Sequence, residues 1–452
     1  MTKTKTPQFS EDRRQSVHIA MGAFALLLRY IAWWEGLVLA GAAIAFNLFA
    51  LPRIAGPELY RDRESSRRFT SGIVLYPAAI FVLLYLFPDR RDIVAAAWGV
   101  LAFGDGMATI VGRRLEGPRI PWNREKTIAG SAALVLFGGA AGAFLCWWCR
   151  PVIVPPPYAW FTFGMPFVAA LAAAAVETIP IKLDDNVSVP VTAAAILWWS
   201  SLISEDVMMK AAAAAPGAVP VALAANAGAA GAGYVARTVT VGGALCGALT
   251  GIAIFVTTGW QGWTLLIATF LCAVVSTRIG HRRKARHGIA EERGGRRGAG
   301  NAFANTGVAA FAAVLAAIGY AEEPALIAFV AALAAGGSDT IASEIGKAWG
   351  GRTWLVPTLR SAPPGTPGAI SLAGTAAGLI GAFLLTGAGV ALDLISGNAL
   401  LPVIAGATAG AFAESAMGAT LEGPGIVNND VLNFLNTAIA AGIAVLLAKT
   451  FA

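Results

Sequence analysis

The sequence predicts an all-α polytopic integral membrane protein, with about 15 transmembrane helices in two tandem, parallel-repeat bundles. Three observations predict it. First, the 452 residues are 57% hydrophobic and 13% charged, with a mean hydropathy of +0.66, a composition outside the soluble range. Second, apolar runs long enough to cross a bilayer core recur along the whole chain. Third, the basic residues collect in a few connections between those runs, as the positive-inside rule expects.

Residues 1–12 read as a mobile tail. The expected crossings that follow are 18–34, 36–51, 70–87, 93–111, 129–148, 158–177, 187–203, 211–235, 239–257, 260–278, 302–319, 325–346, 368–388, 396–415 and 431–449. The run 211–235 is the weakest, being rich in Ala, Pro and Gly. The first apolar run lacks a small-residue cleavage site, so no cleavable signal peptide is expected. The many small residues suit close helix packing in lipid.

With Arg13 and Arg14 in the cytoplasm, alternation places 52–69, 112–128 and 281–300 on the same side. These are the segments that carry Arg53, Arg61, Arg63, Arg67 and Arg68, then Arg113, Arg114, Arg119, Arg124 and Lys126, then seven Lys and Arg residues. The opposite face receives the short connections Pro88–Asp92, Arg150–Pro157, Gly259–Gly262 and Ala321–Pro324. The expected location is therefore an inner, cytoplasmic membrane, with the N-terminus and the polar clusters facing the cytoplasm. Topology accounts for most of the net charge of +7, so no nucleic-acid partner is required. Four cysteines make no disulfide framework. Cys146-Trp147-Trp148-Cys149 has redox-motif spacing, but it ends an apolar run and reads as packing.

Two stretches carry most of the polar information. Asp105-x-x-Ala108-x-x-x-Gly112 matches Asp339-x-x-Ala342-x-x-x-Gly346, with all three residues on one helix face. The first basic residue follows eight positions later in each, at Arg113 and Lys347, which sets each aspartate ~12 Å inside the basic flank. Ile128-Ala129-Gly130-Ser131 then matches Leu372-Ala373-Gly374-Thr375. One helix further on, Glu177 precedes Asp184-Asp185-Asn186, and Glu414 precedes Asn428-Asn429-Asp430. The shared order describes a parallel duplication. A weaker match sets Arg13-Arg14 and His18 beside Arg296-Arg297 and Asn301.

A carboxylate within a bilayer costs ~2.5–3.5 kcal/mol and persists where it meets a cavity, a partner or an ion. Asp105, Asp185, Asp339 and Asp430 are candidate ligands of Mg²⁺, which takes one or two carboxylates plus substrate phosphates. The bland alternative for each is a helix–helix ion pair. Glu177 and Glu344 join the aspartates as catalytic candidates. Lys126 beside Gly130-Ser131 suits a nucleotide phosphate: a point charge, a close backbone and helix N-terminal amides. Arg113 and Asn186 belong to the same candidate site. In the second copy Ile370-Ser371 replaces Lys126-Thr127, so its cation falls to Lys347, Arg352 or Arg360, with Ser371, Gly374, Thr375 and Asn429 around it. His18 reads as a structural hydrogen-bonding residue, and His281 and His287 as solvated residues of a basic loop that can meet anionic lipid.

Through Gly104-Asp105-Gly106-Met107-Ala108-Thr109-Ile110-Val111-Gly112-Arg113 and Asn123-Arg124-Glu125-Lys126-Thr127-Ile128-Ala129-Gly130-Ser131, residues 13–205 resemble the phytol kinase branch of the CTP-dependent polyprenol kinases. That branch is related to dolichol kinase and, more distantly, to CDP-diacylglycerol synthase. Residues 206–452 resemble an integral-membrane family long catalogued as of unknown function, whose plant member is phytyl-phosphate kinase. The matching residues are Arg297…Ala304-Asn305-x-Gly307, Ser338-Asp339-Thr340-Ile341-Ala342-Ser343-Glu344-Ile345-Gly346, Gly368-Ala369-Ile370-Ser371-x-x-Gly374-Thr375 and Asn429-Asp430-x-x-Asn433. The resemblance adds Asn305 to the second site. It implies a bifunctional salvage enzyme that phosphorylates phytol or a similar isoprenoid alcohol with CTP and Mg²⁺, then phosphorylates the monophosphate. Two other readings fit parts of the pattern. One is a CTP-dependent cytidylyltransferase making a CDP-activated lipid. The other is a non-enzymatic lipid carrier, since parallel repeats with polar residues at depth also describe carriers.

Overall fold

A computed structural model describes residues 11–54, 71–115, 117–286, 288–289 and 292–451. Most of the expected tail at 1–12, most of the basic connection 52–69 and His287 lie outside the described residues. The chain packs as two compact units, Met1–Ser201 and Leu202–Ala452.

The first unit begins with α1 (Glu11–Met21), so Glu11 and Asp12 belong to a helix rather than to the expected tail. The crossing expected at 18–34 is not one straight helix. After α1 the chain tightens into a 3₁₀ segment, Gly22–Arg29. There Gly22 lies against Ala102 and Phe103, and a β-carbon would come within 2.6 Å of Ala102 Cβ. Next come α2 (Trp33–Ala50), α3 (Ser71–Leu86) and α4 (Arg91–Arg114). A hairpin of β1 (Arg119–Ile120) and β2 (Asn123–Thr127) precedes α5 (Ile128–Val152), α6 (Ala159–Glu177) and α7 (Asp185–Ser201).

The second unit contains α8 (Glu205–Val235), α9 (Val241–Arg278), the short α10 (His281–Arg286), α11 (Ala299–Ile318) and α12 (Glu322–Trp349). A three-stranded antiparallel sheet in the order β4-β3-β5 follows, from β3 (Thr353–Leu355), β4 (Ser361–Ala362) and β5 (Ala369–Ser371). It leads into α13 (Leu372–Ala391), α14 (Gly397–Glu422) and α15 (Asn429–Thr450).

Among the described residues, 11 helices are long and apolar enough to cross a membrane. The difference from the expected number has identifiable causes. The crossings expected at 239–257 and 260–278 are two helical arms that follow one another without a loop and so count once, as α9; the chain turns between them at Gly259 (φ 70°, ψ −165°), a conformation that only glycine adopts without strain. The helices α3 and α7 fall short at 16 and 17 residues, and α1 is interrupted as described. The protein is nonetheless a predominantly helical polytopic membrane protein.

Each unit wraps around one nearly buried helix. In the most apolar window of α4, 72% of residues are buried, and in that of α12, 67%, against 6% for α8. The first core gathers Leu28, Ile80, Leu84, Ile93, Leu101 and Leu197 around α4. The second gathers Leu265, Phe329, Val330, Leu333, Leu385 and Val403 around α12. Helices apolar on every side bury every side. The two buried helices carry Asp105 and Asp339, and so place a carboxylate at the heart of each unit.

Candidate functional site

The sequence gives each buried helix the same neighbour. In the first unit, Thr127 caps α5 by accepting the Gly130 N–H at 3.0 Å. In the second, Ser371 caps α13 by accepting the Gly374 N–H at 3.1 Å. Side-chain oxygens satisfy one of the orphan amides at a helix start. A β-carbon on Gly130 would meet the Ala108 carbonyl oxygen at 3.0 Å and Gly112 Cα at 3.5 Å. One on Gly374 would meet the Ala342 carbonyl oxygen at 2.7 Å and Gly346 Cα at 3.2 Å. The Ala-x-x-x-Gly spacing after each aspartate is thus a groove into which the capped helix start drops, and small residues are required on both sides of it. Gly130 and Gly374 act here by packing. Their amides, like that of Ile128, which donates to Pro118 O at 3.1 Å, already have protein acceptors.

In the first unit a π-helical stretch over Val100–Asp105 widens α4 just before the groove. Such widenings re-aim side chains, and Asp105 is buried at its end. His18 of α1 reaches it, with Nε2 3.5 Å from Asp105 Oδ2 and 3.2 Å from Leu101 O. A carbonyl only accepts, so this contact places the hydrogen on Nε2. Tyr76 packs edge-on against the His18 ring at 4.7 Å. Gly106 makes room, since a β-carbon there would lie 2.5 Å from the Ile19 side chain.

Glu177 ends α6, and Asp185 opens α7. Lys126, on β2, donates to Glu177 Oε1 and, at 2.9 Å, to Asp185 Oδ2. Carboxylate oxygens of Asp105, Glu177 and Asp185 lie within 4.8 Å of one another. The structure therefore brings together four residues taken from well-separated parts of the chain. Burial alone would lower the Lys126 pKa, but Glu177 and Asp185 outweigh it and hold the ammonium above its ordinary range. The hard oxygens of three carboxyl groups at this separation fit a divalent cation such as Mg²⁺. Beside them Asn186 donates to Asp184 Oδ1 at 2.7 Å, while its own Oδ1 is buried without a partner. Ser131 is partly buried just beyond the cap. Arg113 is exposed and 3.7 Å from Asp12, with Arg114 3.3 Å from the same carboxylate. Trp122, which carried no signal in the sequence, donates to Thr178 Oγ1 at 3.1 Å and pins the hairpin bearing Lys126 over the end of α6.

In the second unit a cavity of about 670 Å³ opens beside α12. Asp339, Glu344, Lys347, Ser371, Gly374, Thr375, Asn429 and Asp430 all line it, together with Glu414, Glu422 and Arg296. Asp430 lies against the first turn of α11, where a β-carbon on Gly300 would come within 2.2 Å of Oδ2. Glu414 Oε2 is buried without a hydrogen-bond partner, an acceptor suited to a cation or a donor on a ligand. Three expected members lie elsewhere. Arg352 is exposed and outside the cavity lining. Arg360 sits on the exposed turn between β3 and β4, its amide directed at Thr358 Oγ1 at 3.4 Å. Asn305 faces a smaller apolar groove and donates to Asn301 O at 2.9 Å.

Lys284 departs most from the sequence reading. It belongs to the basic segment expected to be solvated surface, yet it is 0% exposed. Its ammonium pairs with Glu344 Oε2 and donates to Thr277 O at 2.8 Å. Lys347 approaches the other oxygen of Glu344 at 3.3 Å. Glu344 is thereby held between two ammonium groups, which makes it the residue that positions Lys347. His281, three residues earlier, is exposed.

A polytopic helical protein with a carboxylate cluster in its first unit and an acid-lined cavity in its second defines an integral membrane protein class with polar chemistry at depth. The integral membrane protein family DUF92 matches residues 224–441, and the chain belongs to it. An uncharacterised membrane protein of Synechocystis is 37% identical over 200 residues, covering 43% of this chain and 77% of that protein. The chloroplastic protein VTE6 of Arabidopsis thaliana is 33% identical over 198 residues, 42% of this chain and 60% of that one. A chloroplastic protein of Glycine max named probable phytol kinase 3 is 31% identical over 196 residues, 40% of this chain and 61% of its own length. No solved structure matches.

Proposed function

We propose that this protein phosphorylates an isoprenoid alcohol such as phytol with CTP in its first unit, and phosphorylates the resulting monophosphate in its second. The observation that carries the reading is the gathering of Asp105, Glu177 and Asp185 around Lys126, in a chain similar to proteins named phytol kinases. Phosphoryl transfer asks little covalent chemistry of a protein. It needs placed cations, placed acceptors and an in-line nucleophile.

In the first unit the alcohol oxygen attacks the terminal phosphorus of CTP, the bond from that phosphorus to the bridging oxygen breaks, and CDP leaves. The hydroxyl proton passes to a carboxylate of the cluster. Lys126 meets the phosphate charge, Glu177 and Asp185 hold Lys126 in place, and His18 braces Asp105. Asp105 and Asp185 are the residues that would hold Mg²⁺, which when bound neutralises phosphate charge and orients the donor. In the second unit an oxygen of the isoprenyl monophosphate attacks the terminal phosphorus of a nucleoside triphosphate, giving the diphosphate and a nucleoside diphosphate. There Lys347 and Arg296 supply cations, and Asp339 and Asp430 would hold the metal. The membrane is a cytoplasmic one, with both sites on its cytoplasmic side.

The test is a product assay on the full chain in liposomes, with Mg²⁺, labelled phytol and CTP or ATP, resolved over time. Monophosphate should appear first and then give way to diphosphate, with CDP released. Formation of a CDP-lipid from an added lipid phosphate, with no turnover of any isoprenoid alcohol, would overturn the reading.

A further inference from the structure

We infer that the apolar groove between α8, α9, α11 and α12 holds the isoprenoid chain of a lipid monophosphate whose phosphate lies in the large cavity of the second unit. This inference rests on the proposed monophosphate kinase reading of that unit. The groove is about 120 Å³ and its walls are mostly small or apolar residues, among them Gly247, Ala248 and Phe270. Three residues, Arg297, Asn301 and Thr340, line both this groove and the polar cavity of about 670 Å³. The two spaces therefore adjoin, with a cation at the neck where they meet.

That neck is rigid. Arg297 donates its amide to Thr238 O at 3.0 Å and accepts from the Thr240 N–H at 3.0 Å. Its guanidinium Nη1 donates to Asn301 Oδ1 at 3.3 Å. A molecule with an anionic head and a branched apolar tail matches this sequence of surfaces: polar cavity, guanidinium, then a trough of glycines and alanines. The groove is much smaller than the cavity, so it grips the part of the tail next to the phosphate and leaves the remainder to the bilayer. Asn305 lines only the groove, which assigns that residue to the tail rather than to the nucleotide.

Gly247 is the lever. Nothing lies within 4 Å of where its β-carbon would be, so a larger residue there fills the groove without straining the helix. It lies four residues beyond Gly243, whose own β-carbon position touches Arg297 O at 2.2 Å, hence ~6 Å deeper at the rise of an α-helix. A leucine at that depth leaves room for one isoprene unit and blocks the next.

The experiment uses the full chain in liposomes with dimethylallyl, farnesyl and phytyl monophosphates, comparing wild type, Gly247→Leu and Gly231→Leu. Gly231 is exposed, also has open space around it, and lies outside the groove. Gly247→Leu should lower kcat/KM for farnesyl and phytyl monophosphate about tenfold or more relative to dimethylallyl monophosphate, and Gly231→Leu should leave the profile unchanged. In parallel, a phytyl monophosphate bearing a diazirine on its second isoprene unit should label residues of α9 and α11, and Gly247→Leu should suppress that labelling. Turnover with an unchanged chain-length profile and no labelling in the groove overturns the inference and leaves the kinase reading standing. Labelling that Gly247→Leu suppresses, without turnover of any monophosphate by wild type, keeps the groove and removes the kinase.

Discussion

The two units use the same backbone contact but assemble their charges from different elements. In each, an aspartate on a buried helix precedes an alanine–glycine groove that receives a capped glycine from the next helix. The cation, however, arrives by different routes. In the first unit Lys126 comes from the strand just before the capped helix and binds Glu177 and Asp185. In the second that position is Ile370, and Lys347 comes from the buried helix itself, held by Glu344, which Lys284 neutralises in turn. The lesson is that close packing is set by atoms in contact and resists change, whereas a charge can be delivered from any element within reach of the site.

This contrast can be broken at several depths. The largest effect is expected from the aspartates. Asp105→Asn should cut alcohol phosphorylation by roughly a thousandfold or more while conversion of added monophosphate continues, and Asp339→Asn should do the reverse, so that monophosphate accumulates. A folded single mutant lacking both activities would mean one shared centre rather than two.

The next effect separates the cations. Lys284→Met leaves Glu344 buried with one partner fewer and should cost about 3–5 kcal/mol of stability, read as a fall in the thermal unfolding midpoint. The double variant Lys284→Met/Glu344→Leu should recover most of that loss, because the buried charge is then gone. If both variants unfold alike, the pair is not what holds α10 in place. Lys126→Met, at a partly exposed site, should lower stability less than Lys284→Met and activity more.

The shared groove gives smaller effects. Gly374→Ala meets the Ala342 carbonyl at 2.7 Å and Gly130→Ala meets the Ala108 carbonyl at 3.0 Å. Each should destabilise by ~1–3 kcal/mol, Gly374→Ala the more. A reversed order in thermal unfolding would contradict the packing described here. Smallest are the caps: Thr127→Ala and Ser371→Ala should each cost about 1 kcal/mol, and nearly equal amounts if the two helix starts are equivalent.

The fold class was readable because burial on all sides writes itself as uninterrupted apolar sequence, and the break in α9 was readable because Gly259 stands between two such runs. The acidic centre of the first unit was readable too: Asp105, Glu177 and Asp185 are costly in an apolar chain, and Lys126 sits beside a helix start. Lys284 was not, since nothing in a cluster of basic residues marks the one that turns inward; only Glu344, far along the chain, selects it. The small sheet β4-β3-β5 was equally hidden. Its strands of two or three residues are too short for any alternation to show, and they sit among prolines and glycines that read as loop. Trp122 carried no signal until Thr178 gave it a partner. What escapes the sequence in each case is a contact whose other half lies elsewhere.

The buried pair of Lys284 and Glu344 also imposes an order in time. The lysine is made 60 residues before its partner, with all of α11 and most of α12 between them. Until α12 has entered the bilayer, the ammonium has no carboxylate to meet and must stay among lipid headgroups and water. The α10 segment therefore seats itself only after its successors are in place. A chain released before Glu344 emerges carries the Lys284 ammonium without the carboxylate it meets in the finished protein.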